Sequence, residues 1–178
     1  MKNMKTLGNG IEVPEELQLP RDLADWAIAV IKSRKYDVSG GFGKIWLQGR
    51  KAIKMQDRCF DYFHTVDEAR IARELGKPRE HGINVPEVYG VYIPQEDEEL
   101  EPFFVMERLN IVSIDDYARG NVCGHLIRSR LRKELKRQQD LAEKAGYAAM
   151  DSSPSRNTGV GRDGKVWLYD FGCFMSIS

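Results

Sequence analysis

The hydrophobic pattern in the first third of the chain changes from helical to alternating. Residues 22–33, DLADWAIAVIKS, place four apolar residues at helical spacing, which predicts a short helix that packs on the sheet after it. These residues are Leu23, Trp26, Ala27 and Ile31. Residues 36–56 then hold three short segments that are rich in aromatic and β-branched residues, YDVSGG, GKIWLQG and RKAIKMQ. Because glycines separate these segments, they predict three strands of a meander.

One helix and two more strands are predicted in the region that follows. In residues 65–76, Thr65 is followed three positions later by Glu68, which is a capping-box pattern, and Gly76 is suited to end the helix. VPEVYGVYI and EPFFVMERL then have strand composition, and the acidic loop QEDEELE separates them. We therefore expect a five-stranded antiparallel sheet with one inserted helix.

The second half of the chain predicts helix first and a hairpin afterwards. SIDDYAR is expected to form a short helix, and residues 124–145 a long one, because apolar residues form one stripe there. The stripe consists of Ile127, Leu131, Leu135, Ala142 and Ala145. A polar loop at residues 151–157 precedes a hairpin around RDGK and the strand KVWLYDFG. The expected fold class is α+β.

Charge and cysteine content restrict the partners and the compartment. Lys+Arg and Asp+Glu are each 27, so the formal net charge is zero and no overall field favours nucleic acid or membranes. The three cysteines are odd in number and widely spaced, which fits neither a disulfide framework nor a zinc site. No signal-peptide pattern and no apolar run of membrane length is present. We therefore expect a cytoplasmic protein without a membrane or nucleic-acid partner.

The long helix carries a basic cluster over residues 128–137, in which Glu134 is the only acid. The cluster consists of Arg128, Arg130, Arg132, Lys133, Lys136 and Arg137. One interpretation is a solvated helix face. The other is a docking surface for an acidic partner, nucleic acid included, since a local patch acts within a Debye length whatever the net charge.

The stretch SGGFGK also has two interpretations. Gly40, Gly41 and Gly43 around Phe42 suit a hairpin turn, where glycine supplies a positive φ. They equally suit a loop that lays its amides against phosphates, because a β-carbon would hold the ligand away. The stretch by itself leaves both interpretations open.

The order of the motifs resembles that of the protein-kinase-like superfamily over residues 36–172. A glycine-rich hairpin precedes a lysine on the third strand, a glutamate on the next helix and a late Asp-Phe-Gly sequence. The resemblance implies a protein-kinase-like fold in which the SGGFGK loop covers the phosphates of ATP. It also implies that Lys54 contacts the α and β phosphates and that Glu68 holds Lys54 in place. Glu68 serving only as a capping residue is the alternative.

The same resemblance implies an adenine-binding segment and a magnesium-dependent reaction. Met106 matches the gatekeeper position, and Glu107 and Leu109 match the positions whose backbone groups bind adenine. ATP carries several negative charges, so its site needs a lysine, glycine amides and carboxylate-held Mg²⁺ to neutralise them. The sequence contains the glycines, the lysine and the carboxylates in the order in which the family has them.

The resemblance also assigns roles in two later segments. In residues 149–157 it implies that Asp151 is the catalytic base and that Asn157 is a metal ligand. In YDFG it implies that Asp170 is the main magnesium ligand. Asp151 and Asn157 are one residue farther apart than in the family pattern. Either the loop is one residue longer or Arg156 occupies the place of the asparagine. A plain Asx turn is the alternative interpretation of the loop.

Other positions depart from the family. Val38 replaces the first glycine of the loop, Ala149 replaces the usual histidine, and Ser153 replaces the lysine common in Ser/Thr kinases. Only CFMSIS follows Gly172, so we expect a strongly reduced second lobe. A protein partner or the acceptor protein would then supply the missing acceptor surface.

These inferences divide the chain into three parts and leave three functions open. Residues 1–35 are expected to form a lead and brace helix, 36–109 a nucleotide-binding lobe, and 110–178 the reduced second lobe. The first function is an ATP-dependent protein kinase of minimal size that also phosphorylates itself. The second is a pseudokinase-like, nucleotide-responsive binding module, and the third is an interaction protein that has lost the ligand.

Overall fold

The computed structural model describes residues 4–6, 12–40, 43–56, 62–77, 82–95, 97–150, 152–154, 156–170, 172 and 174–177. Two compact units make up the chain. The first unit comprises Met1–Arg70 and Glu87–Arg108, and the second comprises Ile71–Pro86 and Leu109–Ser178.

The first unit is built around a five-stranded antiparallel sheet. Its strands are β3 (Val38–Gly40), β4 (Gly43–Gln48), β5 (Lys51–Met55), β6 (Val88–Tyr92) and β7 (Phe103–Glu107). They lie in the order β3-β4-β5-β7-β6, and each neighbouring pair is antiparallel. The five-stranded sheet expected from the alternating pattern is confirmed. A small pair that the pattern did not predict, β1 (Met4–Thr6) with β2 (Glu12–Pro14), precedes a 3-10 turn at Glu15–Leu17.

Helix α1 (Arg21–Ser33) packs on this sheet, as the sequence predicted. It follows Pro20, whose fixed φ suits a helix start, and it ends where Arg34 turns to extended backbone. The buried core between helix and sheet includes Ala27, Trp46 and Phe103. Burial of these apolar groups stabilises the packing by about 25 cal/mol per Å² removed from water.

Helix α2 (Tyr62–Leu75) differs from the prediction at its start. Thr65 lies inside the helix and is fully buried, so it is not an N-cap and the predicted capping box is wrong. Its Oγ1 donates instead to Oε1 of Gln56 at 2.8 Å. The predicted end is confirmed, because Gly76 follows the last helical residue and its N–H donates to the carbonyl of Ala72.

The second unit combines the end of α2, from Ile71 onward, with two further helices and two small sheets. Its elements are β8 (Ile111–Val112), α3 (Ile114–Arg119), α4 (Gly124–Lys144), β9 (Tyr147–Ala149), β10 (Thr158–Gly161), β11 (Val166–Leu168) and β12 (Phe174–Ser176). The β10–β11 hairpin and both helices are confirmed. The pairing of β8 with β10 and of β9 with β12 was not predicted, because strands of two or three residues carry little pattern. Among the residues described, no helix is long and apolar enough to span a membrane.

A buried polar network holds α4 against the β10–β11 hairpin. Gln138 falls on the apolar stripe of α4 and has no exposed surface. Its Nε2 donates to the carbonyl of Val166 at 2.9 Å and to Glu134, and its Oε1 accepts from the N–H of Asn84 at 3.2 Å. The Arg137 guanidinium, with help from Gln138, holds the pKa of Glu134 below its usual range. Every polar group of the Gln138 side chain therefore forms a hydrogen bond, as is usual for buried polar groups.

Gln138→Leu keeps the size of this side chain and removes its hydrogen bonds. We expect the free energy of unfolding to fall by about 2 kcal/mol, because partners of Gln138 lose a bond inside the protein. Urea denaturation followed by circular dichroism measures this change. Arg130→Leu on the exposed side of the same helix is the control and should change stability by no more than about 0.5 kcal/mol. Equal effects of the two variants would contradict a specific role for the network.

Candidate functional site

Lys54 and Glu68 form a buried ion pair in the first unit. Lys54 lies on the central strand β5 and Glu68 on α2, and only 5% and 2% of their surfaces are exposed. Lys54 Nζ donates to Glu68 Oε1 at 2.5 Å. The same ammonium lies 6.0 Å from the ring centroid of Phe104, which is its cross-strand partner on β7. The pair joins two residues that are far apart in sequence and fixes the position of the lysine.

A second polar contact runs parallel to this ion pair. Gln56 follows Lys54 by two residues, so both side chains lie on one face of the strand, and Thr65 precedes Glu68 by three residues on one face of the helix. Gln56 is 8% exposed, and it accepts the hydrogen bond from Thr65 described above. Two buried polar contacts thus hold α2 on the sheet at a defined register. The role of Gln56 was not predicted, although its spacing of two residues from Lys54 is a sequence signal that places both side chains on one face of the strand.

Stability alone is a poor explanation for the ion pair. Moving two charges out of water costs several kcal/mol per ion, and apolar residues of similar volume often fold as well or better at such sites. A lysine that is held charged beside a carboxylate is, by contrast, what a phosphate-binding site requires. The pair is therefore the strongest candidate for a functional site in this unit.

In the glycine-rich segment, the structure gives a packing reason for the glycine at position 43. Part of the segment lies outside the described residues. Gly43 has φ +146°, and a β-carbon there would overlap the carbonyl oxygen of Met55 on the neighbouring strand. Strand packing therefore explains Gly43 without any ligand. Gly40 pairs with Gly43 at the end of the β3–β4 hairpin. Gly41 and Phe42 lie outside the described residues.

Of the predicted adenine-binding positions, Met106 and Glu107 are the last two residues of β7, and Leu109 lies just after it. Met106 is half-buried and lies opposite Ala52 of the central strand. The N–H of Glu107 donates to the carbonyl of Glu87 at 2.8 Å, so this N–H is already engaged within the protein. Leu109 is half-buried and belongs to the second unit.

Asn157 and Asp170 lie at the open end of the β10–β11 hairpin in the second unit. Thr158 pairs with Leu168, and the N–H of Tyr169 donates to the carbonyl of Asn157 at 3.0 Å, so Asp170 comes directly after the last ladder bond. Among the described residues other than glycine, only these two have a positive φ, 55° at Asn157 and 63° at Asp170. Such backbone is uncommon outside glycine and is concentrated at functional sites.

Burial and the charge of Asp170 both affect the pKa of the neighbouring Tyr169. Burial raises the pKa of Tyr169, and the negative charge of Asp170 raises it further. The Tyr169 hydroxyl therefore stays protonated at neutral pH. The sequence predicted a strand that continues through Asp-Phe-Gly, but β11 ends at Leu168. Asp170 therefore lies after the strand and not in it.

The loop that contains the predicted catalytic residues is held by neighbouring elements. Gln139 of α4 donates through Nε2 to the carbonyl of Ser152 at 2.8 Å and to its hydroxyl at 3.0 Å. The carbonyl of Ser153 accepts from the hydroxyl of Thr158, and the carbonyl of Pro154 accepts from the N–H of Ile114. Asp151, the predicted base, lies outside the described residues. Gln139 had no sequence signal, because a glutamine on a long helix resembles any solvated residue.

The structure also describes both candidates for the second metal ligand. Arg156 is exposed, and its backbone exchanges hydrogen bonds with Ser153, at 2.9 and 3.0 Å. Asn157 is half-buried and comes directly before β10. A guanidinium has no acceptor atom, whereas the carboxamide oxygen of Asn157 suits a hard cation. Within the ranges that are described, no group of three or more His, Cys, Asp or Glu side chains is placed to hold a metal ion.

Comparison with family models and with curated proteins finds no match for this chain.

Proposed function

We propose that the protein is an ATP-dependent phosphotransferase that acts on protein. The buried pair of Lys54 and Glu68 is the observation that supports this most strongly, because its short ion pair gives the lysine one fixed position. Phosphoryl transfer passes through a loose transition state and depends mainly on positioning and charge. A fixed ammonium meets both requirements for the phosphates of ATP.

Most of the residues proposed to hold the nucleotide belong to the first unit, and Leu109 belongs to the second. Lys54 donates to the phosphate oxygens, and Glu68 keeps its ammonium oriented. The hairpin amides around Gly40, Gly41, Phe42 and Gly43 are proposed to lie over the phosphates. Met106, Glu107 and Leu109 are proposed to form the adenine side, where the Glu107 carbonyl is suited to accept from the amino group.

The unit-two residues would hold Mg²⁺. Asp170 supplies a carboxylate and Asn157 a carboxamide oxygen, and Mg²⁺ usually takes one or two carboxylates together with substrate phosphates. These two donors fit that requirement. Bound Mg²⁺ supplies neutralisation of the phosphate charge. Asp151 is proposed to accept the proton of the acceptor hydroxyl.

The acceptor is proposed to be a protein, with this chain itself as one acceptor and a protein partner supplying further acceptor surface. The alternative is a nucleotide-responsive binding module without transfer. One observation favours it: Ala149 lies in β9 opposite Phe174, so a methyl group occupies the position from which a polar side chain would brace the loop. Gln139 holds the loop at Ser152 instead.

Asp170→Asn tests the proposed role of magnesium. ATP with Mg²⁺ at a hundred times its Kd adds about 2.7 kcal/mol of stability, which raises Tm of a chain of this size by about 5–10 °C. We expect Asp170→Asn to give the same small shift with and without Mg²⁺. Asparagine tolerates the left-handed backbone of this position, so the fold should persist. Differential scanning fluorimetry with ATP, with and without Mg²⁺ or EDTA, measures the shifts.

Asp163→Asn is the matched control, since Asp163 lies at the opposite, turn end of the same hairpin and bonds to Lys165. It should keep the full magnesium-dependent shift. An unchanged melting curve of the unmodified protein at millimolar ATP and Mg²⁺ would contradict the proposed function. If the ATP-induced shift in Tm depends equally on Mg²⁺ in Asp170→Asn and in the unmodified protein, Asp170 is not a magnesium ligand.

A further inference from the structure

One face of α4 carries positively charged side chains at helical spacing. Its residues follow the i, i+3, i+4 repeat of a helix face and line one open pocket of about 430 Å³ in the second unit. We call this set the basic stripe, and it consists of His125, Arg128, Ser129, Arg132, Lys133 and Lys136. All of its members belong to one helix of one unit.

The basic stripe differs from the basic run that the sequence shows over residues 128–137. Arg130 and Arg137 are basic but do not line the pocket. Arg137 donates through Nε and Nη2 to Glu134, at 2.8 and 2.7 Å, and is engaged there. Helical geometry therefore separates the run into one face that lines the pocket and another that does not.

Two carboxylates already partly neutralise the basic stripe. Oδ1 of Asp115, from α3, lies 3.1 Å from Nε of Arg128 and 3.4 Å from Nη2 of Arg132. Asp140 pairs with Lys136 at 2.8 Å. Lys133 forms no ion pair with any part of the chain that the structure describes. The four Arg and Lys side chains of the basic stripe against these two carboxylates leave a net charge of +2.

The charge and dimensions of the stripe favour a short acidic peptide. A nucleic acid presents dense phosphates and is bound through many cations with large counterion release, whereas two carboxylates here would repel it. The helix rises about 1.5 Å per residue, so His125 to Lys136 spans about 16 Å, which matches about five residues of an extended peptide. Leu126, which is 60% exposed beside His125, offers contact to one apolar side chain.

We propose that the basic stripe docks an acidic peptide segment of a partner protein, and that Asp115 competes with it. A carboxylate of the peptide takes the place that the Asp115 carboxylate holds beside Arg128 and Arg132. Lys133 supplies an ammonium that no carboxylate of the described residues engages. Asp115 is therefore an internal competitor whose removal strengthens docking. Neither ATP nor magnesium is required, so this inference does not depend on the proposed phosphotransferase activity.

Fluorescence anisotropy with a labelled peptide of glutamates and one leucine tests the proposal on the full chain without nucleotide. Exposed ion pairs are individually weak, so each single change should alter Kd only severalfold. We expect Lys133→Gln to weaken binding about threefold and Asp115→Asn to strengthen it about threefold. Binding should also weaken as NaCl is raised from low to physiological concentration.

Arg130→Gln is the matched control, because it removes the same charge from the same helix outside the stripe. It should leave Kd within about 1.5-fold of the unmodified protein. Equal losses in Lys133→Gln and Arg130→Gln would overturn the stripe as the docking site, and so would unchanged affinity in Asp115→Asn. Tighter binding of a labelled single-stranded oligonucleotide, with the same dependence on Lys133, would overturn the acidic peptide as the occupant.

Discussion

Lys54→Met is expected to abolish the ATP-dependent rise in Tm and to destabilise the protein by about 3–5 kcal/mol. Methionine fills the volume of the lysine stem, but it leaves the buried Glu68 carboxylate without its ammonium, and breaking a buried pair in this way is strongly unfavourable. The same change removes the donor proposed for the phosphates. Urea denaturation measures the first effect, and calorimetric or fluorimetric ATP titration measures the second.

A double variant separates these two effects. Lys54→Met combined with Glu68→Leu replaces both charges by apolar groups, which is often neutral for stability. We expect most of the lost stability to return while ATP still produces no shift. Recovery of the ATP response together with stability would show that the pair is only structural.

Lys51→Met is the matched control on the same strand. The Lys51 ammonium lies 5.5 Å from the ring of Trp26 and 5.9 Å from that of Tyr89, and its side chain is on the opposite face of the sheet from Lys54. Loss of these cation–π contacts should cost about 1 kcal/mol and leave the ATP response intact. A loss of ATP response equal to that of Lys54→Met would contradict a specific role for Lys54.

Asp151→Asn is expected to lower phosphate transfer by about a hundredfold or more and to leave ATP binding nearly unchanged. The reason is that the proposed base contacts the acceptor hydroxyl rather than the nucleotide, and removal of general-base assistance typically costs 10²–10⁴-fold. Incorporation of labelled phosphate into the protein itself and into added cell lysate measures transfer. A melting shift with ATP and Mg²⁺, recorded on the same preparations, measures binding.

Ser152→Ala and Ser153→Ala are the controls for the position of the base. Ser152 accepts a hydrogen bond from Gln139, and the hydroxyls of both serines are removed without a change in loop length. We expect both variants to retain at least about half of the transfer, because neither side chain ionises at neutral pH. A loss of transfer in either variant as large as that of Asp151→Asn would show that the base has been assigned to the wrong residue. Equal transfer by Asp151→Asn and the unmodified protein would exclude Asp151 as the base.

The sequence by itself determined the elements whose patterns are long enough to be distinctive. Five alternating segments predicted the antiparallel sheet, and the apolar stripe of residues 124–145 predicted α4 to within one residue of its end. Helical spacing likewise predicted that α1 packs on the sheet. These features depend on side-chain periodicity along one segment, which the sequence shows directly.

Only the tertiary structure decided what individual polar residues do. Sequence spacing favoured a helix cap of Thr65 and Glu68, but Thr65 bonds to Gln56 instead. Glu68 bonds to Lys54, which the family resemblance implied and the spacing did not. Gln138 lies on the apolar stripe of α4, and its bonds to Asn84 and Val166 depend on segments far away in the chain. A buried polar group must find a partner, and which partner is within reach depends on how distant segments fold together rather than on local sequence.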